Sequence, residues 1–326
     1  MNAKHFLDRG DVSRKAKNFA GAIPSYLEAL AQEPHSPRAL LGLADAYRGV
    51  NDVRQAVAVL NQYLGLKPTD AAAQSRLGDA YRRTGQRDLA VAHYQKALDL
   101  DATNRYALLG LGDIYHKEQR GAEALACWEA LLNLEPDQVR ILTLAANLHR
   151  RLHAFAKAAE YFQRALAIGP RDPYVVFGLA DSLRGQGLFA EARLLWEELL
   201  EADPCNRQVL TRAADCYFAL GEADLAEGLF RRALGLGHER AAVLGLARIQ
   251  CQRGAFAEAM AGFVSLLARR PGEPRTILLM CEALAEWKGL EAALAFLQEQ
   301  RAAHPGLKEL DGALNVQVDP TSMAPV

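Results

Sequence analysis

Residues 77–100 read LGDAYRRTGQRDLAVAHYQKALDL, and residues 111–134 read LGDIYHKEQRGAEALACWEALLNL. The second stretch repeats the first 34 residues on, with Leu, Gly, Asp and Tyr in register and an alanine, Ala90 or Ala124, further along. A fixed period of this length decides the architecture before any local reading does. Traced outward, the alanine recurs as Ala22, Ala56, Ala90, Ala124, Ala158, Ala192, Ala226, Ala259 and Ala293, at steps of 34 except for one of 33 after Ala226. Four residues after each stands a large apolar side chain: Tyr26, Leu60, Tyr94, Trp128, Phe162, Trp196, Phe230, Phe263 and Leu297. Twelve after each, proline stands in seven of nine cases, Ala102 and His238 being the exceptions.

Upstream of each alanine a small residue keeps the same period: Gly10, Ala44, Gly78, Gly112, Ala146, Ala180, Ala214, Ala247 and Cys281. In Leu77-Gly78-Asp79-Ala80-Tyr81 the spacing i, i+1, i+4 puts Leu, Gly and Tyr on one helical face. Each unit therefore reads as helix, short turn, helix, with units starting near residues 3, 37, 71, 105, 139, 173, 207, 240 and 274. Two helices approach closely only where facing positions lack bulk, so the small residue of the first helix is expected to meet the alanine of the second. The large apolar residues then fill the space between hairpins, and proline, lacking an N–H, ends each unit.

This pattern resembles the tetratricopeptide repeat family over about residues 3–306. The resemblance implies an all-α fold, an α-solenoid of about nine helix-turn-helix hairpins wound into a right-handed superhelix. First helices would line a concave groove and second helices the outside. Two departures are visible: the family's aromatic near the start of the first helix is Leu or Val in most units. The turn glycine occurs only as Gly85, Gly187, Gly221 and Gly254. The single 33-residue step, around Leu234-Gly235-Leu236-Gly237-His238, reads as a loop deletion or a local change of stacking. Arg9 and Ser13 in the first unit, and Gln300 and Arg301 in the last, read as polar caps of a complete array. Residues 307–314 are expected to add a short capping helix, and 315–326 to be a disordered tail.

Half of the residues are apolar and the formal net charge is -1, so bulk electrostatics do not select nucleic acid. The cysteines Cys127, Cys205, Cys216, Cys251 and Cys281 show no metal-ligand spacing and read as core residues of a reducing compartment. With no signal segment and no apolar run long enough to span a membrane, a cytoplasmic location is expected. His149 and His153 stand four apart, but lack the rest of a zinc motif and read as structural. No nucleophile elbow or phosphate loop is present, so neither catalysis nor a cofactor is expected.

One residue beyond the small position stands Asp11, Asp45, Asp79, Asp113, Asn147, Asp181 and Asp215; three further on stand Arg14, Arg48, Arg82, His116, Arg150 and Arg184. The resemblance places both rows on the groove. Taking groove positions in the first six units, twelve cations (Lys4, Arg14, Lys15, Arg38, Arg48, Arg82, Arg83, Lys117, Arg140, Arg150, Arg151 and Arg184) face Asp11, Asp45, Asp79, Asp113 and Asp181. In the last three units Arg248 and Arg275 face Asp215, Glu282 and Glu286, so the groove is expected to be polarised. One reading is a self-satisfied ladder of i, i+3 pairs, each stabilising by about 0.2–0.5 kcal/mol. The other is a binding surface for an extended acidic partner segment or a C-terminal carboxylate, with Tyr106, Tyr174 and Phe177 as apolar anchors. The leading expectation is a protein or peptide partner and a scaffold or adaptor role. A regulatory subunit of a separate enzyme and a nucleic-acid-binding repeat are the alternatives, the recurrent Asp opposing the latter.

Overall fold

The computed structural model describes residues 2–237 and 239–307, and all regular structure among them is α-helical. The succession of elements begins with α1 (Ala3–Lys15), α2 (Phe19–Gln32), α3 (Pro37–Gly49), α4 (Val53–Leu66), α5 (Ala71–Arg83), α6 (Arg87–Leu100), α7 (Arg105–Lys117), α8 (Gly121–Leu134) and α9 (Val139–Arg151). It continues with α10 (Phe155–Ile168), α11 (Pro173–Gly185), α12 (Phe189–Ala202), α13 (Arg207–Ala219), α14 (Ala223–Gly235), α15 (Arg240–Gln252), α16 (Phe256–Arg269), α17 (Pro274–Lys288) and α18 (Leu290–Ala303). The chain divides into two compact units, Met1–Leu148 and His149–Val326. In the first, each helix from α1 to α8 packs on the next, and first helices also touch, α1 on α3 and α5 on α7. In the second the same holds from α10 to α18, with α11 on α13 and α13 on α15. The expected cap and tail at 308–326 lie outside the described residues.

The small, alanine and large apolar positions of the repeat are buried throughout. The nine alanines are fully inaccessible, and the large residue four further on is at most 1% exposed in each repeat. The small residue also makes room for the large side chain of the second helix. A Cβ on Gly78 would strike the Tyr94 ring, one on Gly10 the Tyr26 ring, and one on Gly112 the Trp128 indole. The first helix is thus small where it seats the large side chain of the second. A second close approach comes from the next hairpin, where Gly110 would strike Tyr94 and Gly42 would strike Tyr26. In the second unit Gly178 abuts Phe162 and Gly245 abuts Phe230 in the same way. Each of these rings is clasped from the following hairpin because that helix lacks a side chain there. Ala124 is fully buried, so Ala124→Leu is expected to overpack α8 and to cost about 1–3 kcal/mol in urea denaturation.

The hairpin turns share one backbone solution. Gly85 has φ +80°, and its N–H bonds to the Arg82 carbonyl while that of Gln86 bonds to Tyr81, a Schellman ending. Gly187, Gly221 and Gly254 adopt the same left-handed conformation, but so do Lys17, Asn51, Gln119 and His153. A left-handed L-residue costs roughly 1–2 kcal/mol, and glycine's extra chain entropy returns part of that. Gln119→Gly is therefore expected to stabilise the first unit by about 0.5–1 kcal/mol, read as a higher urea midpoint. The missing residue of the 33-residue step comes out of a helix: α14 has 13 residues where α12 has 14.

Candidate functional site

The aspartate row of the first unit is built into the first helices and is largely paired. Asp11 accepts a 2.6 Å hydrogen bond from the Tyr26 hydroxyl and ion-pairs with Arg38 at 2.5 Å and Arg14 at 3.8 Å. Arg14 reaches on to Asp45 at 3.8 Å, and Arg48 joins Asp45 at 3.3 Å to Asp79 at 3.9 Å. Each arginine here links its own hairpin's carboxylate to the next, as the ladder reading requires. Burial opposes ionisation of Asp11, but the hydrogen bonds from Tyr26 and Arg38 and the nearby cations hold its carboxyl below the usual range. Burial, the Asp11 bond and its charge together push the Tyr26 phenol up to about 12, outweighing the cation Arg14.

The ladder opens at its third and fourth rungs. Arg82 is spent on Asp79 of its own helix, at 2.7 Å. The next position is His116, whose ring lies 5.3 Å from that of Trp128 instead of reaching along the row. Asp113 is left with Arg140, at 3.5 Å, whose side chain is 68% exposed. Here lies a cavity of about 480 Å³ with Arg48, Arg76, Arg82 and Arg140 in its wall against Asp79 and Asp113. Gly110 and Tyr94 form part of its lining, so the glycine that clasps the ring also leaves the space. Asp45 pairs with Arg48 and Arg76 from behind, so four guanidinium groups meet three carboxylates, a local excess of positive charge that favours an anionic occupant.

A smaller cavity of about 250 Å³ adjoins it, lined by Leu109, Leu131 and Ile141 with Tyr106 and Arg140. Tyr106 and Leu109 belong to both walls. Tyr106 is 61% exposed, and its hydroxyl accepts a 2.8 Å hydrogen bond from Arg105. The Arg105 guanidinium also lies 4.7 Å from the ring centroid and donates to Glu135 at 2.9 Å. Arg105 and Gln138 both donate to Glu135, holding its carboxyl below the usual range.

Of the residues singled out by sequence, Arg48, Asp79, Arg82, Tyr106 and Asp113 therefore line one cavity, and Asp45 pairs with its neighbours Arg48 and Arg76. Arg83 turns away and donates to Asn51 in the preceding hairpin turn. The Asn147 amide donates to the Thr143 carbonyl of its own helix at 2.8 Å. In the second unit, Arg150 at 2.7 Å, Arg184 at 2.8 Å and Arg212 at 3.6 Å converge on Asp181. Arg151 and Tyr174 are exposed, whereas Phe177 packs edge-on against Trp196 with centroids 5.0 Å apart. Burial pushes the Asp215 carboxyl up despite Arg184 and Arg212 nearby.

Sequence reading missed Arg76 and Arg212. Both stand two residues before the small position, which along the chain holds Asp8, Gly42, Arg76, Gly110, Leu144, Gly178, Arg212, Gly245 and Leu279. A signal was present in the alternation of glycine with bulk. His149 is buried and stacks on Tyr161 at 5.5 Å. All five cysteines are free thiols, and burial pushes Cys216 up to about 11. Among the described residues no cluster of His, Cys, Asp and Glu could hold a metal, and no helix is long and apolar enough to cross a membrane.

Family models described as tetratricopeptide repeat match residues 13–80, 109–173 and 177–238, and one described as TPR repeat matches 78–119. The C-terminal part of a TPR repeat-containing protein from Cytophaga hutchinsonii aligns at TM-score 0.56 and 20% identity, over 74% of this chain and 99% of that one. YrrB, described as a TPR protein with an unusual peptide-binding site, aligns at TM-score 0.52 and 20% identity, over 56% of this chain and 95% of that one. These likenesses concern the fold. No curated protein matches the sequence.

Proposed function

The chain belongs to the tetratricopeptide repeat family, whose members serve generally as protein-interaction scaffolds, and on that premise we propose that its first unit holds an acidic, extended segment of a partner protein. The observation that carries this reading is the cavity whose wall brings Arg48, Arg76, Arg82 and Arg140 together against Asp79 and Asp113, with Asp45 behind it paired to Arg48 and Arg76, so that four cations meet three carboxylates. Elsewhere in that unit the row neutralises itself, so the excess of donors is local to the third and fourth rungs. A carboxylate entering there meets planar guanidinium forks suited to bidentate bonding. The aspartates fix the arginines in place and disfavour a polyanion such as RNA. The scaffold acts as an adaptor by offering this wall without itself changing the segment it holds.

Arg140 is the variant of choice, because its side chain is largely exposed and its single ion pair is at the surface. With a fluorescein-labelled Gly-Ser peptide carrying Glu residues as probe, Arg140→Glu is expected to weaken binding roughly tenfold at low salt, and added salt to narrow the gap. Fluorescence anisotropy reads both effects, and a thermal melt confirms the fold. Equal binding by Arg140→Glu and wild type would remove the proposal.

A further inference from the structure

The arginine-lined cavity does not stand alone, and its neighbour has the opposite character. Leu131 is 4% and Ile141 2% exposed, so the smaller cavity reaches down to the hydrophobic core between α8 and the start of α9. In its charged wall Glu135 takes hydrogen bonds from both Arg105 and Gln138, and Arg140, shared with the larger cavity, is paired with Asp113. An apolar side chain entering there strands no charge. The two cavities share Tyr106, Leu109 and Arg140, so they lie one side-chain thickness apart. In an extended chain, side chains on one face recur every second residue, about 6.5–7 Å apart.

We infer that the site reads two side chains of its partner, a carboxylate in the larger cavity and an aliphatic group two residues away in the smaller one. The inference rests on the acidic-segment reading and adds to it a register. Tyr106 is the specificity element, a rigid partition whose ring is held from outside by Arg105 and, through it, Glu135. Charge alone would accept an acidic segment in any register; the partition restricts it to those whose aliphatic residue falls beside, and not directly next to, the carboxylate.

The test uses the full chain and short Gly-Ser peptides as NMR titration probes. One pair carries Asp and Leu two residues apart in the two possible orders, one carries them adjacent, and one replaces Leu by Gly. One order of the spaced pair is expected to bind about tenfold or more tightly than the adjacent and leucine-free peptides, since an aliphatic side chain leaves water. Tyr106→Ala, at an exposed position, is expected to abolish that preference, so that spaced, adjacent and leucine-free peptides bind alike. Leucine-free and spaced peptides binding equally would overturn the register while leaving the acidic site standing. A leucine preference unchanged in Tyr106→Ala would overturn the role of the partition. Failure of every acidic peptide would overturn the underlying function instead.

Discussion

Replacing Asp181 with Ala is expected to cost the second unit about 2–4 kcal/mol, the largest effect of any charged residue in the structure. Its side chain is 7% exposed and takes Arg150, Arg184 and Arg212 at once. Removing one member of a buried pair strands the others and typically costs about 3–5 kcal/mol. The three arginines keep 25–34% of their side-chain surface, so water recovers part of that cost. Burial resists ionisation of Asp181, but the Arg184 bond and the charges of Arg184 and Arg212 prevail, holding its carboxyl below its ordinary 3.8. A depressed folded value means that this stability is present above about pH 4 and is lost as pH falls through the folded value. The deficit of Asp181→Asn relative to wild type is therefore expected to be full at pH 7 and to shrink below pH 4. Urea melts at the two pH values measure it, and a deficit independent of pH would contradict the assignment. Asp215→Asn should behave oppositely, costing little at neutral pH because burial already penalises that charge.

Tyr94→Ala is the corresponding prediction for the first unit, with an expected loss of about 3–5 kcal/mol. The ring is 1% exposed and is clasped by Gly78 from its own hairpin and Gly110 from the next. Neither glycine can extend a side chain into the space vacated, so the cavity persists instead of collapsing. Tyr94→Phe keeps the ring and loses only the hydroxyl, an expected cost of about 1 kcal/mol or less. Because each hairpin contacts mainly its neighbours, the loss should be local. Hydrogen exchange would show it as reduced protection in α5 to α7, with α14 to α18 unaffected. Uniform loss across both units would argue that the chain unfolds as one cooperative body.

How much of the site was legible follows from the same packing. Asp79, Arg82 and Asp113 could be named from the repeat because a 34-residue period copies a helix position from unit to unit. What the period could not say is which copies would be consumed by their neighbours. Arg14 and Arg48 are spent on bridging carboxylates, and Arg83 on a turn asparagine. Phe177, on the same helix as exposed Tyr174, is instead used up against Trp196. Arg76 escaped notice because its position is glycine in the hairpins before and after it, so no row of like residues marked it.

By itself, the sequence determined the helical hairpins, their order and the burial of each repeated alanine and large apolar residue. Those features depend on local periodicity, and a residue's place on a helix face follows from its number alone. Only the tertiary structure decided that the small residue seats the ring of its own hairpin while a glycine of the next clasps it, and that the charge ladder opens beside Gly110. Both outcomes depend on side chains from different hairpins competing for one space, which the spacing within any single repeat does not encode.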